Sequence, residues 1–334
     1  MTEVETRLKS LQLHSDPEQG SPYWIELFKN SPLNIADVAE NPLLLPPMEP
    51  EVLRNHPLEY FMPKKVIQQH DYLITGETSG FSGKPIMTAF SATEFRAAFV
   101  TPFLERAAAV KFPVAGKWLW AGPTGPHIVG KAIRAILKTV GGFDPFTVDF
   151  DPRWYKRLPE NSISRERYFN HIEEQIFNIL NTQQVDVLFS TPPVIRMLAA
   201  KMSETARQQI RGVHYGGIAL DYTEYQQFKT AFPNAVHLNG YGNSLFGVFL
   251  EIDFTAAGIE YSAESKRVDL ALVNNADGKI VPTAAGETGQ VMLSRYDESF
   301  MIINMLERDI AVKTANGILN PHTEKKYKQV KVLY

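Results

Sequence analysis

Between Thr75 and Pro85 the chain reads Thr-Gly-Glu-Thr-Ser-Gly-Phe-Ser-Gly-Lys-Pro. These residue types suit a polyphosphate: glycines let backbone N–H groups turn toward an anion, hydroxyls add donors, and lysine supplies a point charge. The order is not that of a P-loop NTPase. Thr78 stands where the first glycine of G-x-x-x-x-G-K-[ST] belongs, and Pro85 follows Lys84 in place of the magnesium-binding hydroxyl. A surface turn enriched in glycine and serine is the competing reading of the same residues.

Composition narrows the chemistry further. The 334 residues are 44 % hydrophobic and 21 % charged with a net charge of −3, ordinary globular material without a basic face for nucleic acid. No cysteine is present, which excludes disulfides, thiolate nucleophiles and thiolate metal sites. The eight histidines show no i,i+4 pair beside a carboxylate, so a zinc hydrolase has no support and no metal site is assigned from spacing. The N-terminal stretch Met-Thr-Glu-Val-Glu-Thr-Arg has no secretory character, and no apolar run reaches the length of a membrane span. A cytoplasmic protein without membrane or nucleic-acid partners is expected.

The elements around the loop follow from pattern. Up to Pro63, proline and acidic residues predict short helices with proline stops. A short strand enters the Thr75–Pro85 loop. Ser91, three residues before Glu94, caps a helix through FRAAFVTPFLERAAAV. Strand and helix then alternate through WLWAG, KAIRAILKTVGG, FTVDF, RERYFNHIEEQIFNILNTQ, VDVLFS, VIRMLAAKM, RGVHYGG, YTEYQQFKTAF and AVHLNGYG. This alternation argues for an α/β fold with a parallel-rich sheet. After Gly242 the segments GVFLEIDF, KRVDLALVN, GQVMLSRY and SFMIINMLERDIAVKT read as antiparallel strands divided by turns. Trp118, Phe143 and Phe146 are assigned to the core.

The order Thr-Ser-Gly-x-Ser-Gly-Lys-Pro resembles the Thr-Ser-Gly-Thr-Thr-Gly-x-Pro-Lys signature of the adenylate-forming superfamily of acyl- and aryl-CoA ligases, luciferases and peptide-synthetase adenylation domains. The phenylacetate-CoA ligase branch carries the shorter ending Gly-Lys-Pro found here. Further landmarks follow in the family's order. Gly216, Gly217 and Leu220 in YGGIAL resemble the strand end that borders adenine, although two glycines in a turn read equally well. YGNSL resembles Tyr-Gly-x-Thr-Glu, so that Tyr241 would stack on adenine and Ser244 would replace the threonine at the α-phosphate. Leu245 departs from the family's magnesium-binding glutamate. GETGQVML matches Gly-Glu-x-Gly before a strand, and Asp309 in NMLERDIAV would be the ribose carboxylate, or else an exposed aspartate in a turn.

The resemblance spans about Tyr72 to Lys313 and implies a layered αβαβα N-terminal domain, residues 1–240, followed by a small distorted antiparallel β-barrel, residues 241–334. It implies ATP held by Thr78, Ser79, Gly80, Ser82, Gly83, Lys84, Gly216, Gly217, Tyr241 and Asp309, with a Mg²⁺ site weakened by Leu245. The catalytic candidates are Lys84, Ser244 and His127. The family's mobile C-terminal domain and its lysine have no counterpart, since GILNPHTEKKYKQVKVLY ends the sequence; its basic residues Lys325, Lys326, Lys328 and Lys331 read as a solvated tail.

The acid would lie beside Trp120, His127, Ile128, Tyr215, Leu245 and Phe246, whose aromatic character fits a flat aromatic carboxylic acid. His127 would steer the carboxylate, or else face water as a loop histidine. The shortened end and the Gly-Lys-Pro loop resemble the truncated members of phenazine antibiotic (griseoluteic acid) pathways. That likeness implies a phenazine carboxylate as substrate and a downstream reductase as partner, and it is compatible with a homodimer. The rival expectation is a degenerate member that binds nucleotide or aryl acid without turnover and works through a partner enzyme. A self-contained CoA ligase would need the missing domain supplied in trans.

Overall fold

The computed structural model describes residues 2–69, 72–80, 83–262, 265, 267–276 and 279–323. Its strands are β1 (Ile74–Glu77), β2 (Met87–Phe90), β3 (Trp118–Ala121), β4 (Phe146–Val148), β5 (Val187–Ser190), β6 (Gly212–Tyr215), β7 (Val236–Asn243), β8 (Gly247–Thr255), β9 (Gly258–Ser262), β10 (Val268–Ala276), β11 (Lys279–Pro282), β12 (Thr288–Tyr296), β13 (Met301–Lys313) and β14 (Gly317–Thr323). The chain divides into two compact units. The first comprises Met1–Ala97, Ser244–Phe246 and Ser262–Glu324; the second holds Ala98–Asn243 and Gly247–Tyr261.

The first unit starts with short helices whose ends are written in the sequence. Thr2 and Glu5 form a reciprocal capping box on Glu3–His14, and proline opens both Pro22–Lys29 and Pro50–Asn55. β1 and β2 pair antiparallel, Thr75 opposite Ala89 and Glu77 opposite Met87, and the stretch rich in glycine and serine is the connection between them. A second, wholly antiparallel sheet runs β11-β10-β12-β13-β14. Its buried residues Met301, Ile302 and Ile303 share the unit's core with Trp24, Phe61, Phe90 and Phe300. Asn304, at φ +55, bends β13 at an irregular register; its Nδ2 donates to the carbonyls of Pro42 (2.6 Å) and Leu45 (2.9 Å).

The second unit is built on parallel strands in the order β7-β6-β5-β3-β4, extended antiparallel by β8 and β9. Every residue of β3, β5 and β6 is buried, which explains the apolar runs Trp118–Ala121 and Val187–Phe189: a parallel strand covered on both faces has little polar side to show, and β6 places its one imidazole, His214, in the core. The intervening helix Ile128–Val140 buries Ile128, Ala132, Ile133, Ile136 and Leu137, one stripe at helical spacing, and stops at Gly141. Helix Ile163–Leu180 carries the chain from β4 back past β3 to β5, so the strand order reverses beside β3.

The fold is thus mixed α/β, as the strand–helix alternation implies, and Ser91 and Glu94 form the expected capping box. β2, β9, β11 and β14 were not expected. β2 is only four residues long and starts two residues after Pro85. Phe143 is a correction to the expected core: it is 66 % exposed, with the Lys117 ammonium 5.3 Å from its ring centre. The charged stem covers this aromatic where the sheet does not. Among the described residues, no helix is long and apolar enough to cross a membrane.

Candidate functional site

In the first unit the phosphate-type loop is a closed hairpin connection. Thr78 ties its neck, the backbone N–H donating to the Ile86 carbonyl (2.9 Å) and Oγ1 accepting from the Ile86 N–H (3.0 Å). Gly80 has φ +64, and a Cβ there would lie 3.0 Å from Pro85 Cγ and 3.1 Å from the Gly83 carbonyl, so the turn is built on glycine. Thr78, Ser79 and Gly80 are half-buried, while Gly83 and Lys84 are exposed; Ser82 lies outside the described residues, as do Lys325, Lys326, Lys328 and Lys331. The loop's far limb is held by a residue the sequence reading missed. Arg54 Nε donates to the Lys84 carbonyl (2.9 Å), and Nη1 reaches Glu51 (2.5 Å). Arg54 sits 30 positions before its loop partner, and nothing in its own helix announces the contact.

Ser244, Leu245 and Phe246 belong to this same unit. Ser244 Oγ donates to the carbonyl of Glu77 (3.1 Å), the residue just before the loop. Leu245 and Phe246 are 1 % and 0 % exposed, and their carbonyls accept from Arg295 Nη1 (3.0 Å) and Arg267 Nη1 (2.5 Å). The side chain at 245 carries no oxygen and is packed away from solvent, so it offers Mg²⁺ no ligand. Asp309 stands on β13 opposite Thr323, whose hydroxyl donates to its Oδ1 (2.7 Å). It is a strand residue rather than a turn residue.

Arg295 is completely buried. Burial pulls its guanidinium down to about 10 against the opposing pull of Asp297, and it remains a cation at neutral pH. Burial also works to raise the Asp297 carboxyl, but Arg267 and Arg295 outweigh it and hold the group below its usual range.

In the second unit, Trp120 and His127 flank the loop that leaves β3 at the point where the strand order reverses, the position where open α/β sheets bind ligands. The loop is pinned from both neighbours. Ser190 Oγ donates to the Ala121 carbonyl (2.6 Å), and the Thr124 N–H donates to Asp149 Oδ1 (2.7 Å). Trp120 is 1 % exposed and packs on Phe189 at 4.3 Å between ring centres. His127 is the residue before the first turn of Ile128–Val140 and is 6 % exposed, so it does not face water. Tyr215 ends β6, and Gly216 and Gly217 follow at the strand's carboxyl end; the Gly216 N–H donates to the Ser190 carbonyl (3.4 Å).

Tyr215 is buried, stacks on Phe228 and shares a 2.5 Å hydrogen bond with His237 Nδ1. Burial, then Tyr225 and Glu251, push its phenol well up. Burial likewise drives His214 and His237 down to about 4. Tyr241, half-buried on β7, faces the rings of Tyr261 (5.7 Å) and Phe249 (6.4 Å). Beside it Gly242 has φ +152, and a Cβ there would stand 2.0 Å from the Gly247 carbonyl, which only glycine allows. Trp120, His127, Tyr215, Gly216 and Gly217 therefore gather at the carboxyl ends of β3, β5 and β6, whereas Thr78–Lys84, Ser244–Phe246 and Asp309 lie in the first unit.

Comparison with solved structures supports the fold. The chain is similar to a 2-hydroxyisobutyryl-CoA ligase in complex with 2-HIB-AMP and CoA, at TM-score 0.66 and 12 % identity over 96 % of this chain and 66 % of the ligase. It is similar to ATP-bound MatB from Rhodopseudomonas palustris at TM-score 0.51 and 15 % identity, covering 75 % and 48 % of the two chains. A luciferase-like enzyme from the nonluminescent mealworm Zophobas morio gives TM-score 0.50 and 17 % identity, covering 75 % and 57 %. The chain thus spans from about half to two thirds of the length of these proteins and has the fold of the N-terminal part of adenylate-forming, acyl-CoA ligase-like enzymes. No protein-family model and no curated protein matches the sequence.

Proposed function

We propose that this protein activates an aromatic carboxylic acid, a phenazine carboxylate, by ATP-dependent adenylation within antibiotic biosynthesis. A carboxylate oxygen attacks the α-phosphorus and forms the acyl–O–P bond. The bond from the α-phosphorus to the bridging oxygen breaks, and pyrophosphate leaves with the electron pair. Alignment and charge stabilisation supply most of the rate in such a transfer. Backbone N–H groups of Ser79, Gly80, Gly83 and Lys84, with the exposed Lys84 ammonium, donate to the β- and γ-phosphates, while Thr78 holds the neck of the loop closed. Ser244, turning its hydroxyl from the Glu77 carbonyl, donates to the α-phosphate, and Asp309 accepts from the ribose hydroxyls in place of Thr323. Tyr241, Gly216 and Gly217 of the second unit are the residues that the resemblance gives to adenine. His127, at the N-terminus of a thirteen-residue helix, orients the acid's carboxylate. Trp120 and Tyr215, buried against Phe189 and Phe228, stiffen the strand ends behind that site from within the core.

The observation that carries this reading is the hydrogen bond from Ser244 to Glu77, which sets the residue assigned to the α-phosphate one position from the loop assigned to the β- and γ-phosphates. Calorimetric ATP binding to Lys84→Ala and Asp309→Ala tests it: each is expected to weaken binding about tenfold or more, the scale of a lost charge-assisted hydrogen bond. Unchanged affinity in both variants would remove the site assignment. A second reading, binding of nucleotide and aryl acid without turnover and in service of a partner reductase, is favoured by the buried Leu245. It is separated from the first by whether bound ATP is consumed.

A further inference from the structure

We infer that Arg295, Asp297 and Arg267 form a positioning clamp that sets the Ser244 hydroxyl against the phosphate loop before any nucleotide binds; this rests on the adenylation reading above. The carboxylate of Asp297 is shared by the two guanidiniums. Arg295 Nε donates to Oδ2 (2.6 Å), while Arg267 grips both oxygens, Nε to Oδ1 at 2.8 Å and Nη2 to Oδ2. Their remaining described donors go to two short segments. Arg295 reaches Thr88 Oγ1 (2.8 Å), the Ala89 carbonyl (2.7 Å) and the Leu245 carbonyl; Arg267 reaches the Phe246 carbonyl. The Phe90 ring lies 3.7 Å from Arg295 Cζ and fixes the plane of the fork.

These segments are the strand that leaves the loop and the turn that carries Ser244. The contacts close a ring: from Glu77 across the ladder to Met87, along β2 to Thr88 and Ala89, through Arg295 to Leu245, and back through Ser244 Oγ to Glu77. A buried ion cluster of this kind adds little stability over apolar packing of the same volume. What it supplies is direction. Planar forks aimed at carbonyls fix the spacing of two segments in a way that aliphatic contacts cannot, and a lysine has no such fork. Leu245 fits this role, since its side chain fills the core while its carbonyl takes the clamp.

The test uses Arg267→Lys, because the Arg267 side chain is 13 % exposed and sits at the rim of the cluster, with Arg295→Lys alongside. Leu11→Ala serves as a control that loosens the buried core of the same unit and leaves every residue of the clamp in place. Amide hydrogen exchange without nucleotide is expected to rise about tenfold or more in Thr75–Phe90 and Tyr241–Phe249 together, and not across the helices Glu3–His14 and Pro22–Lys29. ATP is expected to bind about tenfold more weakly to Arg267→Lys but with unchanged affinity to Leu11→Ala, even where the two melt at similar temperatures. Wild-type exchange in both segments, loosening spread evenly through the unit, or full ATP affinity in Arg267→Lys would overturn the clamp. If the wild-type protein binds no ATP, the adenylation reading falls, and the exchange pattern alone decides whether the two segments are held together.

Discussion

Each unit buries a polar cluster, and the two treat charge in opposite ways. In the first, Arg295 and Asp297 are fully buried yet remain ionised, because each guanidinium and carboxylate oxygen finds a partner. In the second, burial pushes Glu251 up and His214 and His237 down, so these groups tend toward their neutral forms among Tyr215, Tyr225 and Phe189. Ions are kept where backbone carbonyls of a turn and a strand must be fixed relative to each other. Neutral rings serve where a parallel sheet needs filling. His14, neutral beside the Asp297 carbonyl, shows that the first unit also excludes charge where no ion partner is supplied.

The largest break in this contrast is expected from Arg295→Met. It takes a charged donor from three acceptors in the first unit, Thr88 Oγ1 and the Ala89 and Leu245 carbonyls, and one cation from Asp297, costing about 3–5 kcal/mol in urea denaturation. Adding Asp297→Leu and Arg267→Met to make the cluster apolar is expected to restore at least half of that loss while leaving ATP binding impaired. If the single change costs less than about 1 kcal/mol, the ions are not holding the turn.

Acid probes the neutral side. His214 and His237 have folded values near 4 against 6.5 unfolded, so the unfolded chain binds more protons between these limits. Their contribution is present above 6.5 and lost as pH falls toward 4, on the order of 3 kcal/mol each. The depressed Asp297 also stabilises above its unfolded value of 3.8, but its share is lost only as pH falls below that value. His214→Gln is expected to flatten the stability profile between pH 6.5 and 4 in urea titrations at several pH values. An unchanged slope would mean His214 is protonated in the folded state. The smallest expected effect is that of Gly80→Ala, where φ +64 imposes about 1–2 kcal/mol on an L-residue. Because the strain falls in the loop, ATP affinity should drop while the melting of the rest of the unit barely moves. A shift in melting without a change in affinity would place the loop's role in the fold instead.

Legibility in the sequence followed the range of the physics. The turn between Thr75 and Pro85 could be read because its glycines and hydroxyls sit in eleven contiguous residues, and the Ser91–Glu94 box because capping acts over three. The parallel strands were visible as apolar runs because both of their faces are buried. What escaped depends on distance along the chain. Arg295 finds Thr88 207 positions away and Leu245 50 positions away, and Arg54 finds Lys84 30 positions away. An arginine in a strand looks like a solvated edge residue until its partners are known. Phe143 misled for the converse reason: an aromatic after two glycines has the composition of a core residue and the position of a surface loop.

ATP–pyrophosphate exchange with a panel of aryl acids, phenazine carboxylates among them, tests the central claim most directly. Exchange that depends on the acid, and is fastest with a phenazine carboxylate, is the expected result. Clear ATP binding by calorimetry with no exchange under any acid would contradict adenylation and leave a nucleotide- and acid-binding protein that works through a partner.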